Sequence, residues 1–85
     1  MKEFKYTITD AQGIHARPAG ELIKAAKGFA SSIAIAANGK TGDCKKIFTV
    51  MALGVKQGHE VTITVNGDDE EAAAAAMETF FKSTL

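Results

Sequence analysis

Near the start of the chain Phe4, Tyr6 and Ile8 alternate with Lys5, Thr7 and Thr9, the two-residue period of a strand with one buried face. The period then changes. Ala19, Leu22, Ile23, Ala26 and Ala30 recur at helical spacing while Glu21, Lys24 and Lys27 fall off that stripe, which predicts an amphipathic helix ending near Gly28. Ile33 and Ile35 restore the alternation and lead into Asn38-Gly39, a dipeptide suited to a tight hairpin because both residues accept positive φ. The returning arm, near Lys40 and Thr41, is short. Ile47, Val50, Met51 and Gly54 predict a helix of about two turns closed by the glycine. Val61, Ile63 and Val65 alternate again as a strand. The last segment predicts a helix, with acidic residues where its dipole is positive and Lys82 near its end. Asp68 and Glu71 are spaced as an acidic variant of a capping box. The run Ala72 to Ala76 combines high helix propensity with room for close packing.

The order is therefore βαββαβα. Strands that alternate need cover on one face only, so the expected fold is α+β, an antiparallel sheet with helices layered on one side. Eighty-five residues suit one compact domain spanning 1–85, able to bury about 60 to 65% of its unfolded surface. Ten basic and ten acidic residues cancel, and 46% hydrophobic with 24% charged content is that of a folded globule. Zero net charge and the lack of an aromatic-rich strand motif argue against RNA binding. A single cysteine, Cys44, excludes an internal disulfide, which is unusual for a small secreted fold and points to a reducing, cytoplasmic setting. The N-terminal stretch lacks the apolar core of a signal peptide, and no apolar run is long enough to span a bilayer.

The stretch GIHARPAG, residues 13 to 20, holds the only arginine and the only proline of a chain with nine lysines. It falls where the first strand has ended and the first helix begins. Early helix amides lack intrahelical acceptors, so Ala16, Arg17 and Ala19 are expected to offer free N–H donors at the positive end of the dipole. Pro18 loses nothing in the first turn, and its fixed φ helps to start the helix. Gly13 lets the chain turn beforehand. His15 then enters the helix beside the free amides and the Arg17 guanidinium, a nucleophile inside an anion site. Both positive groups disfavour a cationic ring, which leaves a ring nitrogen able to attack an electrophile. A phosphoryl group fits best, since its oxygens would be held by the amides and the guanidinium without a metal or cofactor.

Taken singly, a histidine at a helix start is usually a cap, an arginine a solvated charge and a proline a helix starter. Their coincidence at one dipole end is the signal. His59 sits beside a turn with no such cluster and reads as a surface residue. Cys44 has no partner base and reads as inert and partly exposed, and Ser31 and Ser32 read as loop residues. The two histidines and the cysteine show no metal-ligand spacing.

The segment GIHARPAGELIKAAKGF closely resembles the signature of the HPr family, the histidine-containing phosphocarriers of the bacterial sugar phosphotransferase system. NGK, KIFTVMALGVKQG and VTITVNGDDEEAA match the family's hairpin, central helix and last strand with its helix start. The resemblance implies an open-faced β-sandwich, a four-stranded antiparallel sheet covered on one face by three helices. It implies that His15 is phosphorylated on Nδ1, that Arg17 is the phosphate partner, and that Ala16, Arg17 and Pro18 form the phosphate-binding helix start. It further implies a monomeric carrier charged by Enzyme I that serves the IIA components of sugar permeases.

Docking candidates are Ala16, Gly20, Lys24 and Lys27 beside the histidine, with Ile47, Phe48 and Met51 on the short helix. Ile47 and Met51 serve core packing equally well, whereas Phe48 falls off their stripe and is expected to be exposed. Many family members carry a regulatory serine before the I-x-x-V-M segment. Here Lys46 stands there, preceded by Lys45, so the usual seryl switch is lost. That departure gives weight to a second reading, a paralogue serving a nitrogen-related or dedicated regulatory phosphorelay.

Overall fold

The computed structural model describes residues 1–85 and contains β1 (Lys2–Thr7), α1 (Ala16–Lys27), β2 (Ser32–Ala37), β3 (Lys40–Asp43), α2 (Ile47–Met51), β4 (Glu60–Asn66) and α3 (Glu70–Thr84). The four strands form one sheet in the order β1-β4-β2-β3, and every neighbouring pair is antiparallel. Three helices pack on one face, which is the open-faced arrangement expected. No helix is long and apolar enough to cross a membrane.

The alternation decides which face is covered. Ile33 and Ile35 of β2 and Val61, Ile63 and Val65 of β4 are buried, and the register sets Ile33 opposite Val65 and Ile35 opposite Ile63. Leu22 and Ala26 of α1 and Ala73, Met77 and Phe81 of α3 complete this core. Phe81 gathers the aromatic residues, with ring centroids 6.1 Å from Phe4, 5.9 Å from Tyr6 and 5.9 Å from Phe80, within the range where tilted and edge-to-face pairs attract. Ala73 is the member of the alanine run that faces inward, and its small size lets α3 approach the sheet. Asn38 (φ 53°) and Gly39 (φ 76°) make the expected hairpin turn.

Several local expectations are corrected. Ala30 lies beyond α1 and is exposed. Gly28 does cap the helix as expected, in an ordinary right-handed conformation, φ −73°. The helix α2 has five residues rather than two full turns, and Gly54 adopts positive φ (64°) three residues after it. Cys44 is fully buried, and burial, with Asp43 adding to it, pushes its thiol up to about 12. Ser32 opens β2.

The start of α3 differs most. The reciprocal pair forms between Gly67 and Glu70, with Glu70 N–H donating to Gly67 O at 3.2 Å and Gly67 N–H to Glu70 Oε1 at 3.2 Å. Asp69 occupies the N-cap position without capping the helix. Its carboxylate reaches instead to the end of α1, accepting the Ala30 N–H at 2.9 Å, the Ser31 N–H at 2.9 Å and the Ser31 hydroxyl. Ser31 is buried because it is the other half of this junction, which a single-residue reading has no means of pairing.

The Ser31 hydroxyl, followed by the Ala30 N–H, holds the Asp69 carboxyl below the usual aspartate value. A carboxyl depressed on folding contributes stability above its unfolded pKa, and that contribution is lost as the pH falls through the folded one. Thermal unfolding of Asp69→Asn should therefore show a lower midpoint than the parent at neutral pH, with the gap closing as both are acidified below the ordinary aspartate range. A gap that is constant with pH would contradict this.

Candidate functional site

Between β1 and α1 the chain runs through Ile8 to Ile14, and this loop is seated rather than free. Gly13 has φ 66°, and a Cβ built there would lie 2.3 Å from the Val55 carbonyl oxygen, so only glycine permits the approach. Its neighbour Ile14 enters the core, 6% exposed, and donates its N–H to Val55 O at 3.1 Å. The loop's far end is tied to the C-terminal residue, because Leu85 O accepts the N–H groups of Thr9 and Asp10 at 2.6 and 2.9 Å.

His15 follows as the N-cap of α1 in extended conformation, φ −99° and ψ 180°, with no side-chain cap. Its carbonyl oxygen accepts the Ala19 N–H at 3.0 Å. Ala19 is thus engaged, which corrects the expectation that it offers a free donor. The Ala16 and Arg17 amides remain open. Pro18 is buried in the first turn, where its missing N–H costs nothing. No acidic residue stands in that turn, so the positive end of α1 is uncompensated by its own first residues.

The His15 side chain is 36% exposed, and its Nε2 lies 3.6 Å from Asp10 Oδ2, an electrostatic contact longer than a hydrogen bond. Asp10 is fixed in place. Its Oδ1 accepts the Gln12 N–H at 2.8 Å and its carbonyl oxygen the Gly13 N–H at 2.9 Å. The ring is therefore oriented from its Nε2 side, while Nδ1 makes no cap hydrogen bond. Arg17 extends outward, 87% exposed, with Nε 3.9 Å from Glu21 Oε1. An exposed pair one helical turn apart is weak, and the guanidinium is free to turn toward an anion. Asp10, His15, Arg17, Pro18, Glu21 and Thr84 line one shallow polar depression.

Asp10, Glu21 and Thr84 were not among the site residues expected from the sequence. Glu21 was legible, four residues after Arg17 on a helix. Asp10 and Thr84 were not, since only the folded loop and the packing of α3 bring them to His15.

The family model for the PTS HPr component phosphorylation site matches residues 2–83. The chain belongs to the HPr family. Phosphocarrier protein HPr of Mycoplasma capricolum is 46% identical over 78 residues, 92% of this chain and 88% of that protein. That of Lysinibacillus sphaericus is 43% identical over 79 residues, 93% and 90% of the two chains. A solved histidine-containing phosphocarrier protein of Mycoplasma superposes with a TM-score of 0.94 at 43% identity, covering 98% of this chain and 94% of that one. General phosphocarrier function in the phosphotransferase system comes with this membership.

Among the residues considered for docking in an HPr protein, Lys24 and Lys27 are exposed on α1. Gly20 leaves open space, for a Cβ there meets nothing within 4 Å. Phe48 is 86% exposed, as expected from its place off the α2 stripe. The two ambiguous residues divide: Ile47 is partly buried against the core, whereas Met51 is 38% exposed. Lys46 is the exposed N-cap of α2.

Gly13→Ala should destabilise the protein by about 2 kcal/mol or more, combining left-handed strain with displacement of the loop from Val55. Denaturant unfolding measures the loss, and an unchanged midpoint would show that the loop does not depend on this approach.

Proposed function

We propose that this chain acts as one HPr domain, a monomeric cytoplasmic carrier that accepts a phosphoryl group on His15 from Enzyme I and passes it to IIA components of sugar permeases. The observation that carries the reading is the open start of α1. The Ala16 and Arg17 amides open the helix that His15 precedes without capping, and the exposed Arg17 side chain lines the same depression as the ring. In the forward step the Nδ1 lone pair attacks phosphorus, a P–N bond forms, and the bond to the donor's leaving group breaks. The new phosphoryl oxygens then accept from the amides and guanidinium, which requires positioning and charge rather than covalent help from the protein. Pro18 fixes the turn that aims the amides.

Both partners must reach the same depression, so one docking surface serves in turn for donor and acceptor. Phe48 and Met51 supply its apolar anchor and Lys24 and Lys27 its positive rim, with Gly20 allowing close approach and Ile47 supporting the patch from below.

Lys46 favours a second reading, a paralogue in a nitrogen-related or dedicated relay, because this carrier has no serine at the usual regulatory position. Thr49, the nearest hydroxyl in sequence, is no substitute. Its Oγ1 accepts the Asp43 N–H at 2.9 Å and lies 2.9 and 2.7 Å from the carbonyl oxygens of Asp43 and Lys46, one of which takes its proton. Pull-down of partners separates the two readings.

Incubation with Enzyme I and labelled phosphoenolpyruvate should add one acid-labile, base-stable phosphoryl group. His15→Ala should abolish incorporation, and Arg17→Ala should keep the fold and slow transfer by about a hundredfold. Full labelling of His15→Ala would remove His15 from the proposed role, and an unchanged rate would remove Arg17.

A further inference from the structure

The segment Val55 to His59 is the support on which the His15 loop rests, and it touches that loop repeatedly. Ile14 N–H donates to Val55 O at 3.1 Å, Gly58 N–H to Ile8 O at 2.8 Å and Ile8 N–H to His59 O at 3.0 Å. Gln57 Nε2 reaches Thr9 O at 3.1 Å. What closes the segment on itself is His59, which was expected to be a surface residue and is half-buried. Its N–H donates to Lys56 O at 3.1 Å, and its ring Nδ1 accepts the Lys56 N–H at 3.1 Å.

A second donor converges on the same atom. Asn38 Nδ2, at the hairpin turn, stands 3.4 Å from His59 Nδ1 and donates to Leu53 O at 3.0 Å. A backbone N–H has no alternative role, so Nδ1 is the lone-pair nitrogen and the ring hydrogen sits on Nε2. A ring protonated at Nδ1 would oppose one N–H to another at Lys56 and at Asn38, and both contacts would be lost.

We propose that His59 is a positioning residue for His15: through Nδ1 the neutral ring fastens the Val55–His59 turn and the Asn38 hairpin, and uptake of a proton there releases the turn and loosens the loop that presents His15. This rests on the reading of His15 as the phosphoryl acceptor. The proton comes from solvent. The charged residues of the segments joined here are Lys56 within the turn, Glu60 just after it, Lys40 after the hairpin turn and Asp10 in the supported loop. None is ion-paired with the His59 ring, and Asp10 faces His15.

The test is a titration of the unphosphorylated protein by NMR between about pH 8 and pH 5.5, the range in which imidazoles change charge. The ring nitrogens of His15 and His59 are followed together with the amides of Ile14, Lys56 and Gly58. At the alkaline end His59 should be the Nε2–H tautomer, and on acidification the three amides should shift with the midpoint of the His59 ring. His59→Asn places an amide oxygen near the position of Nδ1 and takes up no proton, so it should keep the transfer rate and abolish the shifts. His59→Leu should lower exchange protection at Ile14 and Gly58 by about fivefold at every pH, the equivalent of one net hydrogen bond. An Nδ1–H tautomer, amides that stay still or follow the His15 midpoint, or an asparagine variant that behaves like the leucine variant would each overturn the proposal. Because the titration uses unphosphorylated protein, it succeeds or fails independently of whether His15 takes the label.

Discussion

The seating of Gly13 against the Val55 carbonyl is the contact on which the site depends. With a Cβ there the distance would be 2.3 Å, so the loop reaches its place only because that residue lacks a side chain. From this approach follow the burial of Ile14, the hydrogen bond from Ile14 to Val55, and the point at which α1 begins. His15 is consequently delivered to the first turn with its backbone extended and its carbonyl oxygen already committed to Ala19. The placement of His15 is a consequence of where the helix is made to start.

The scaffold beneath that loop is assembled from polar contacts across elements distant in the chain. Asp69 joins the start of α3 to the end of α1 through Ala30 and Ser31. Gly67 lies so close to Ser31 that a Cβ would stand 2.6 Å from its Cα. Lys45 Nζ donates to Phe29 O at 2.8 Å, which ties the segment before α2 to the same end of α1. Both ends of α1 are thereby constrained, one by the Gly13 loop and the other by the Asp69 junction. The amides at its N-terminus therefore point in a direction set by the whole fold. Such preorganised donors need little rearrangement when charge arrives.

The fold was legible in the sequence because its signals are local and periodic. The alternation of Val61, Ile63 and Val65 is the buried face of β4, and Asn38-Gly39 supplies positive φ where it is needed. His15, Arg17 and Pro18 were legible for a similar reason: their meaning depends on a helix start a few residues away. Other features required the third dimension. Asp68 and Glu71 look like a capping device, yet it is the intervening Asp69 whose carboxylate matters, accepting from Ala30 and Ser31 across the molecule. Ala19 looks like a free donor until the His15 carbonyl is placed. Asp10 is five positions from His15, and only the turn closed by Gly13 brings its carboxylate to Nε2.

The two ring nitrogens of His15 do not share one environment. Asp10 Oδ2 stands 3.6 Å from Nε2 and no hydrogen bond from the ring caps α1, so the two nitrogens of His15 are unequal before any donor arrives. The direct measurement is phosphorylation of ring-nitrogen-labelled protein by Enzyme I and phosphoenolpyruvate, followed by nitrogen–phosphorus coupling in the NMR spectrum. Coupling to Nδ1 of His15 is expected. Coupling to Nε2 of His15, or to either nitrogen of His59, would contradict it.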